Sequence, residues 1–341
     1  MFRWFRRVQF VALTALILAS LAVLVAGIGR PTGPDPQTNS GLSQRAEQPT
    51  GETLDKLLKA YRLYGLPEPP ADAPLVSFSV PAWAGDRRLR TIGFQLKPEK
   101  EGGPVRVFWG LGRIDELDRR QTAKSMEPRP ESFKDIELGV DDVFAIQCHA
   151  RGWTELALSA IKANWDNRRQ ADRVLAMDAW RYWESTILQP EGDRATIARQ
   201  LKVIAPDLGD DIEKVDRDLP RAIEMAMAPG KGKPGTVEAL IDGLVEVTAT
   251  DRSAVAPRPP HPAYVDVARL GFDAVPVLIA HLDDPRLTRA EKETLTVNRG
   301  HIYRVGDVAH DLLDQLAEPD LGKLVTGRHD KTDFERWWSK A

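Results

Sequence analysis

The hydrophobic positions along this chain change their period several times. Residues 8–29, VQFVALTALILASLAVLVAGIG, carry no charge, and Arg3, Arg6 and Arg7 stand before them. A run of this length can span a bilayer as a helix and exceeds the ~7–15-residue core of a cleaved signal peptide. Arginines ahead of the span favour a cytoplasmic N-terminus, with the bulk of the chain outside the cytoplasmic membrane. Cleavage at a small-x-small site, Ser20-Leu21-Ala22 or Gly27-Ile28-Gly29, is the alternative and predicts a secreted or periplasmic protein. Residues 30–51 then lose all apolar period. Pro, Gly, Ser, Thr, Asn and Gln dominate there, as in a flexible linker.

Residues 52–139 mix two periods. Leu54, Leu57, Leu58 and Tyr61 share one helical face, with Gly65 as the stop and Pro67 beyond it. Strand-like runs follow at 75–83, 90–98 and 105–112, separated by Gly-Asp and Gly-Gly turn signals. Together they predict a small α+β unit. The glycines of Trp109-Gly110-Leu111-Gly112 lack the third glycine of a dinucleotide fingerprint and mark a strand end. Residues 119–139 are polar and predict an irregular connection.

From Val140 the period is helical throughout. VDDVFAIQCHARG and WTELALSAIKAN meet at Gly152, with Ala157 and Ala160 on the inner face of the second helix. On those glycine and alanine positions the pair resembles a tetratricopeptide-type hairpin. Further helices are predicted over 166–188, 193–205, 210–228 and 236–247. Asp193 is placed as an N-cap, and a kink or break is expected at Pro220. Four prolines in residues 253–262 interrupt the run. Asp273 can then cap a helix bearing Ala274, Val275, Leu278, Ile279 and Leu282. Asp283-Asp284-Pro285-Arg286 makes a turn, and a second helix carries Val305, Val308, Ala309, Leu312, Leu313 and Leu316.

These last two stretches resemble one HEAT-type repeat. Ala274-Val275-Pro276, Ile279 and Leu282 match its first helix, Asp284 and Arg286 its turn, and Val308-Ala309, Leu312 and Leu316 its second helix. Residues 287–302 depart from the pattern as an insertion that would open one edge of a regular stack. The whole chain also resembles bacterial membrane-anchored proteins with a HEAT-like end, a likeness that implies no reaction. The expected fold is mainly α. An N-terminal membrane-type helix (1–29) and linker (30–51) precede a small α+β unit (52–139). A stack of antiparallel helices (140–252), a Pro-rich connection (253–262) and a HEAT-like α-solenoid region (263–341) follow.

Candidate chemistry alters this picture little. Lys+Arg number 47 and Asp+Glu 50, a net charge of −3, so no basic footprint points to nucleic acid. Cys148, the single cysteine, excludes an intrachain disulfide and multi-cysteine metal sites. Its neighbour His149 points about 100° away on a helix, so Cys148 reads as a small core residue. APGKGKPGT, residues 228–236, has the composition of a phosphate loop. It lacks the Lys between Gly235 and Thr236 and follows a helix, so it reads as an interhelical loop. His281 and His310 could meet across the HEAT-like pair, with Asp283, Asp284, Asp307 and Asp311 nearby; solvated turn residues are the ordinary reading. Trp153, Trp165, Trp180 and Trp183 suit packing or a groove, and Trp337-Trp338 a closing layer. No catalytic, cofactor-binding or metal-binding residue is assigned.

In repeat folds the functional surface is an extended face that binds a partner. The sequence therefore predicts a membrane-tethered extracytoplasmic scaffold or protein-binding module. Its expected partner is a protein of the cell envelope, with membrane contact through residues 8–29. The alternative is an envelope hydrolase or metal-dependent enzyme with its site between the α+β unit and the helical stack.

Overall fold

The computed structural model describes residues 49–81, 88–117, 127–128, 142–164, 171–189, 192–248, 261–292, 301–322 and 329–340. The predicted anchor (1–29), nearly all of the linker (30–51), Trp165, and most of the 119–139 and 253–262 connections lie outside them. Among the described residues no helix is long and apolar enough to cross a membrane. The protein is mainly helical with a small antiparallel sheet.

Helix α1 (Gly51–Leu63) starts at a reciprocal cap: Thr50 Oγ1 accepts the Thr53 amide, and Thr53 Oγ1 accepts that of Thr50. Its apolar stripe, Leu54, Leu57 and Tyr61, is fully buried. The sheet contains β1 (Leu75–Pro81), β2 (Arg88–Leu96), β3 (Val105–Trp109), β4 (Arg113–Leu117) and β5 (Glu127–Pro128), in the order β4-β3-β2-β1-β5. Strand β4, RIDEL, lacks the apolar run that marked the other strands. The turn after Trp109 folds it back, with Gly110 and Gly112 at positive φ (55° and 103°), so the expected strand end is a hairpin. One face of the sheet sends Leu75, Phe94 and Phe108 into the main core. The other packs Val76, Phe78, Val107 and Leu117 together.

That main core continues through α2 (Asp142–His149), α3 (Thr154–Asn164), α4 (Ala171–Thr186), α5 (Arg194–Ile204) and α6 (Leu219–Met227). Helices α2 and α3 form the expected hairpin around Gly152, and Ala157 and Ala160 are fully buried. Cys148 and Trp180 are core residues, whereas His149 turns to Asp55 and Thr154. Asp193 caps α5 as expected, accepting the amides of Ala195 and Thr196. The helix predicted over 210–228 is corrected. Residues Ala205–Lys214 form 3₁₀ turns, and a new helix begins at Leu219 with Pro220 in its first turn. Proline lacks an amide hydrogen and fits only where none is needed, so it starts a helix here rather than bending one.

A second core gathers α7 (Val237–Gly243), α8 (Pro262–Leu270), α9 (Val275–Ala280), α10 (Val305–Leu321) and α11 (Lys331–Trp338). Leu278 and Ile279 share it with Val308, Leu312 and Leu313; Leu282 packs against it from beyond the end of α9. Asp273 does not cap this helix. It lies in a 3₁₀ turn, Gly271–Ala274, and α9 opens after it with Pro276 in the first turn. Phe334 and Trp337 are buried at the chain's end and Trp338 packs beside them.

Within the insertion, β6 (Leu287–Lys292) pairs with β7 (His301–Arg304) as a two-stranded antiparallel ribbon. Leu287 enters the main core and Ala290 the second one, so β6 joins the two. Arg289 tightens this seam. Its guanidinium donates to the carbonyls of Ile187, Gln189 and Gly192, and to Glu246 at 3.2 Å. Arg194 reaches the same place from α5, donating to Glu246 at 2.8 Å and to the Val245 carbonyl.

Candidate functional site

Helix α6 ends at Met227, and the glycine- and lysine-rich segment that follows runs back across α7. Its glycines serve this packing. A Cβ at Gly232 would lie 2.2 Å from the Ala239 amide nitrogen, and one at Gly230 would lie 2.7 Å from an Asp242 carboxylate oxygen. Thr236 caps α7 through the Ala239 amide. The segment is thus an interhelical loop, as its sequence indicated. Asp242 holds it by accepting the Gly232 amide at 2.8 Å.

Between this loop, the end of α6 and the turn after α9 lies a cleft of about 570 Å³. Lys231, Lys233, His281, Arg286, Asp242 and Asp284 are among the residues that line it. Arg286 organises the charges. Its Nε and Nη2 grip the Asp284 carboxylate at 3.0 and 2.7 Å, and its Nη1 donates to Asp242. Such fork geometry is the strong form of an ion pair. His281 Nδ1 meets the same oxygen, Asp284 Oδ2, at 2.9 Å, and the Arg286 amide donates to Asp284 Oδ1 at 3.0 Å.

Burial alone would raise the Asp284 carboxyl, but hydrogen bonds from His281 and Arg286 outweigh it and hold the group well below the usual carboxylate range. Asp242 is also lowered. Its burial opposes this, and the Gly232 amide and Arg286 side chain overcome it. Burial would by itself lower Arg286, but Asp284 and Asp242 raise it instead. The cluster is therefore a fixed cation between two fixed anions on the cleft wall. It can orient His281 and present Lys231 and Lys233 to a ligand.

A second cleft of about 490 Å³ adjoins the first, sharing Met225 and Asp284. It runs along α6 past Arg221 and Asp218 toward Asp307 and His310 at the start of α10. Both clefts lie among α6, α7, α9 and α10, away from the sheet.

The histidines paired in the sequence reading go to different partners. His281 faces Asp284, while His310 donates through Nε2 to the His329 carbonyl at 2.6 Å and places Nδ1 3.4 Å from Asp314 Oδ2. Asp283 is exposed and pairs with Lys331, Asp307 caps α10 through the Arg304 amide, and Asp311 accepts the Tyr303 hydroxyl. Two members of these clusters were not singled out from sequence. Asp242 stands 44 residues from Arg286, and no local pattern marks it. Asp314 was legible in principle, because four residues after His310 on a helix is the same face. Its carboxylate lies beside the His310 imidazole and the Asp311 carboxylate, one polar atom of each within 4.8 Å of the others. No protein-family model, curated protein or solved structure matches the chain.

Proposed function

We propose that this is a membrane-tethered helical binding module. Residues 8–29 anchor it, the bulk stands outside the cytoplasmic membrane, and α9 with α10 forms a HEAT-like repeat beside the binding groove. The partner is a protein segment of the cell envelope lying along α6. The observation that carries this reading is the continuity of the two clefts through Met225 and Asp284, which makes one extended surface. Its rims carry Lys231, Lys233 and Arg221 near Glu238, Asp218 and Asp283, a mixture suited to a peptide bearing both charge signs. Further support comes from α9 and α10 burying their apolar faces in one core.

The test places a photo-crosslinking amino acid at Arg221 or Lys231 of the full-length protein in its own cells, with Lys97, exposed beyond the sheet, as the control position. Both groove positions should yield the same discrete protein adduct and Lys97 should not. Identical patterns from all three positions refute the groove. For the tether, an exported reporter fused at Ala341 should be active; an inactive reporter on a stable fusion refutes that part.

A second reading, an acid–base enzyme, is favoured by His281, whose ring lines the cleft and is held at Nδ1 by Asp284. In that case His281→Gln abolishes turnover of a substrate while leaving the crosslinked adduct unchanged.

A further inference from the structure

Taking the groove as a peptide-binding surface, as proposed above, we infer that its first cleft receives a carboxylate of the bound segment on Lys231 and Lys233. An apolar side chain of the same segment sits beside that carboxylate. The charges on the cleft wall divide into two groups. In the first, the protein's own charges answer one another. Arg286 holds Asp284 through Nε and Nη2 and Asp242 through Nη1, and His281 directs Nδ1 to Asp284. The loop amides are engaged as well: Gly232 donates to Asp242 at 2.8 Å, and the Lys231 amide adds to that contact. Successive amides of this kind can cradle a phosphate, but here a carboxylate of the protein already fills them.

The second group is unanswered. Lys231 and Lys233 are exposed and line the cleft, and among the described residues neither ammonium has an ion pair or a hydrogen bond. Glu238, also exposed on the lining, is in the same condition. Two unanswered cations against one unanswered anion leave a single positive charge, which suits one carboxylate. A phosphate group carries about −1.5 to −2 near neutral pH. It would exceed that surplus and meet the fixed charges of Asp242 and Asp284. Complementary charge of this kind sets the register of a bound chain. The apolar ground lies just upstream in the chain: Met225, Ala228 and Pro229 line the cleft, and Met227 between them is 42% exposed. Methionine adapts its shape to what packs on it. At about 570 Å³ the cleft falls in the range of small-ligand pockets, roughly 300–1,000 Å³. It has room for a few side chains and none for a folded element. An Asp or Glu side chain and a free chain terminus offer the same group.

Two synthetic arrays of random short peptides, one with free C-termini and one amidated, test this on the full-length protein in detergent. The strongest binders should carry a carboxylate within two residues of Leu, Ile, Val, Met or Phe. Their presence in both arrays identifies a side-chain carboxylate, and in the free-ended array alone a chain terminus. For the best peptide in solution, followed by fluorescence anisotropy, exchanging that carboxylate for an amide should weaken binding about fivefold or more. Lys231→Gln with Lys233→Gln should do the same. Lys231→Arg with Lys233→Arg should stay within about twofold of the wild type, because the charge is kept and no fork geometry is called for. The photo-crosslinker at Arg221, in the second cleft, reads the groove separately. If the Arg221 adduct forms in cells while peptides bind without a carboxylate, bind the double Gln variant equally well, or do not bind at all, the carboxylate inference falls and the groove stands. If the Arg221 adduct matches the Lys97 control and no peptide binds, both fall.

Discussion

Arg286 and Arg289 stand three residues apart where the ribbon begins, and both are largely buried: their side chains are 15% and 12% exposed. Their surroundings differ in kind. Arg286 is held by two carboxylates, Asp284 and Asp242, on the wall of a cleft. Arg289 is held by three main-chain carbonyls and by Glu246, which is 55% exposed. Burial therefore does not separate a fastening from a binding wall. The partner type and the open space beside it do. A guanidinium saturated by carbonyls has nothing left to offer a ligand, whereas fixed opposite charges beside a cleft form a template that a ligand can read.

Four measurements can break or sharpen this contrast. The largest effect is expected for Arg286→Leu, which leaves two largely buried carboxylates without their cation. A loss of about 3–5 kcal/mol is expected in urea melts. Arg289→Leu should cost about 1.5–3 kcal/mol, because water and Glu246 can reach part of what it leaves behind. Equal losses would dissolve the contrast.

Acid should separate the pair next. The folded carboxyls of Asp284 and Asp242 lie below their unfolded range. Their contribution is thus fully present above about pH 4 and is lost as pH falls through the folded values. Asp284→Asn should narrow its stability gap from the wild type on acidification, measured by melts from pH 6 downward. Arg289→Leu should keep the wild-type acid slope. Least of all, Lys231→Ala with Lys233→Ala should change stability by under about 0.5 kcal/mol. The same double change should remove the groove-specific adduct; an intact adduct places the ligand elsewhere.

The sequence disclosed those parts of the protein whose apolar period is long and whose ends are marked. Helices α1, α5 and α10 show it, as does the Gly152 hairpin. Strand β4 was hidden because three of its five residues are charged and pairing with β3, not burial, defines it. The ribbon was hidden for a related reason: Leu287 and Ala290 are its buried anchors on β6, and Thr288 and Arg289 between them look like surface. At the site, His281, Asp284 and Arg286 are close in sequence and were visible as a turn. Asp242 was not, since a tertiary contact across 44 residues leaves no local trace. The loop 228–236 attracted notice for glycines that prove to be required by close packing on α7.

The bonds from Arg289 to Ile187 and Gln189 close loops of 102 and 100 residues. Closing so long a loop carries an entropy cost that local helix pairing does not. The fastening should therefore form late, after α2–α6 and α7–α11 have each gathered their own side chains. Interactions made after the folding barrier leave the folding rate nearly unchanged and slow unfolding. Arg289 is then a brake on opening. Wherever unfolding is followed by proteolysis, its worth would be measured in lifetime as well as in equilibrium stability.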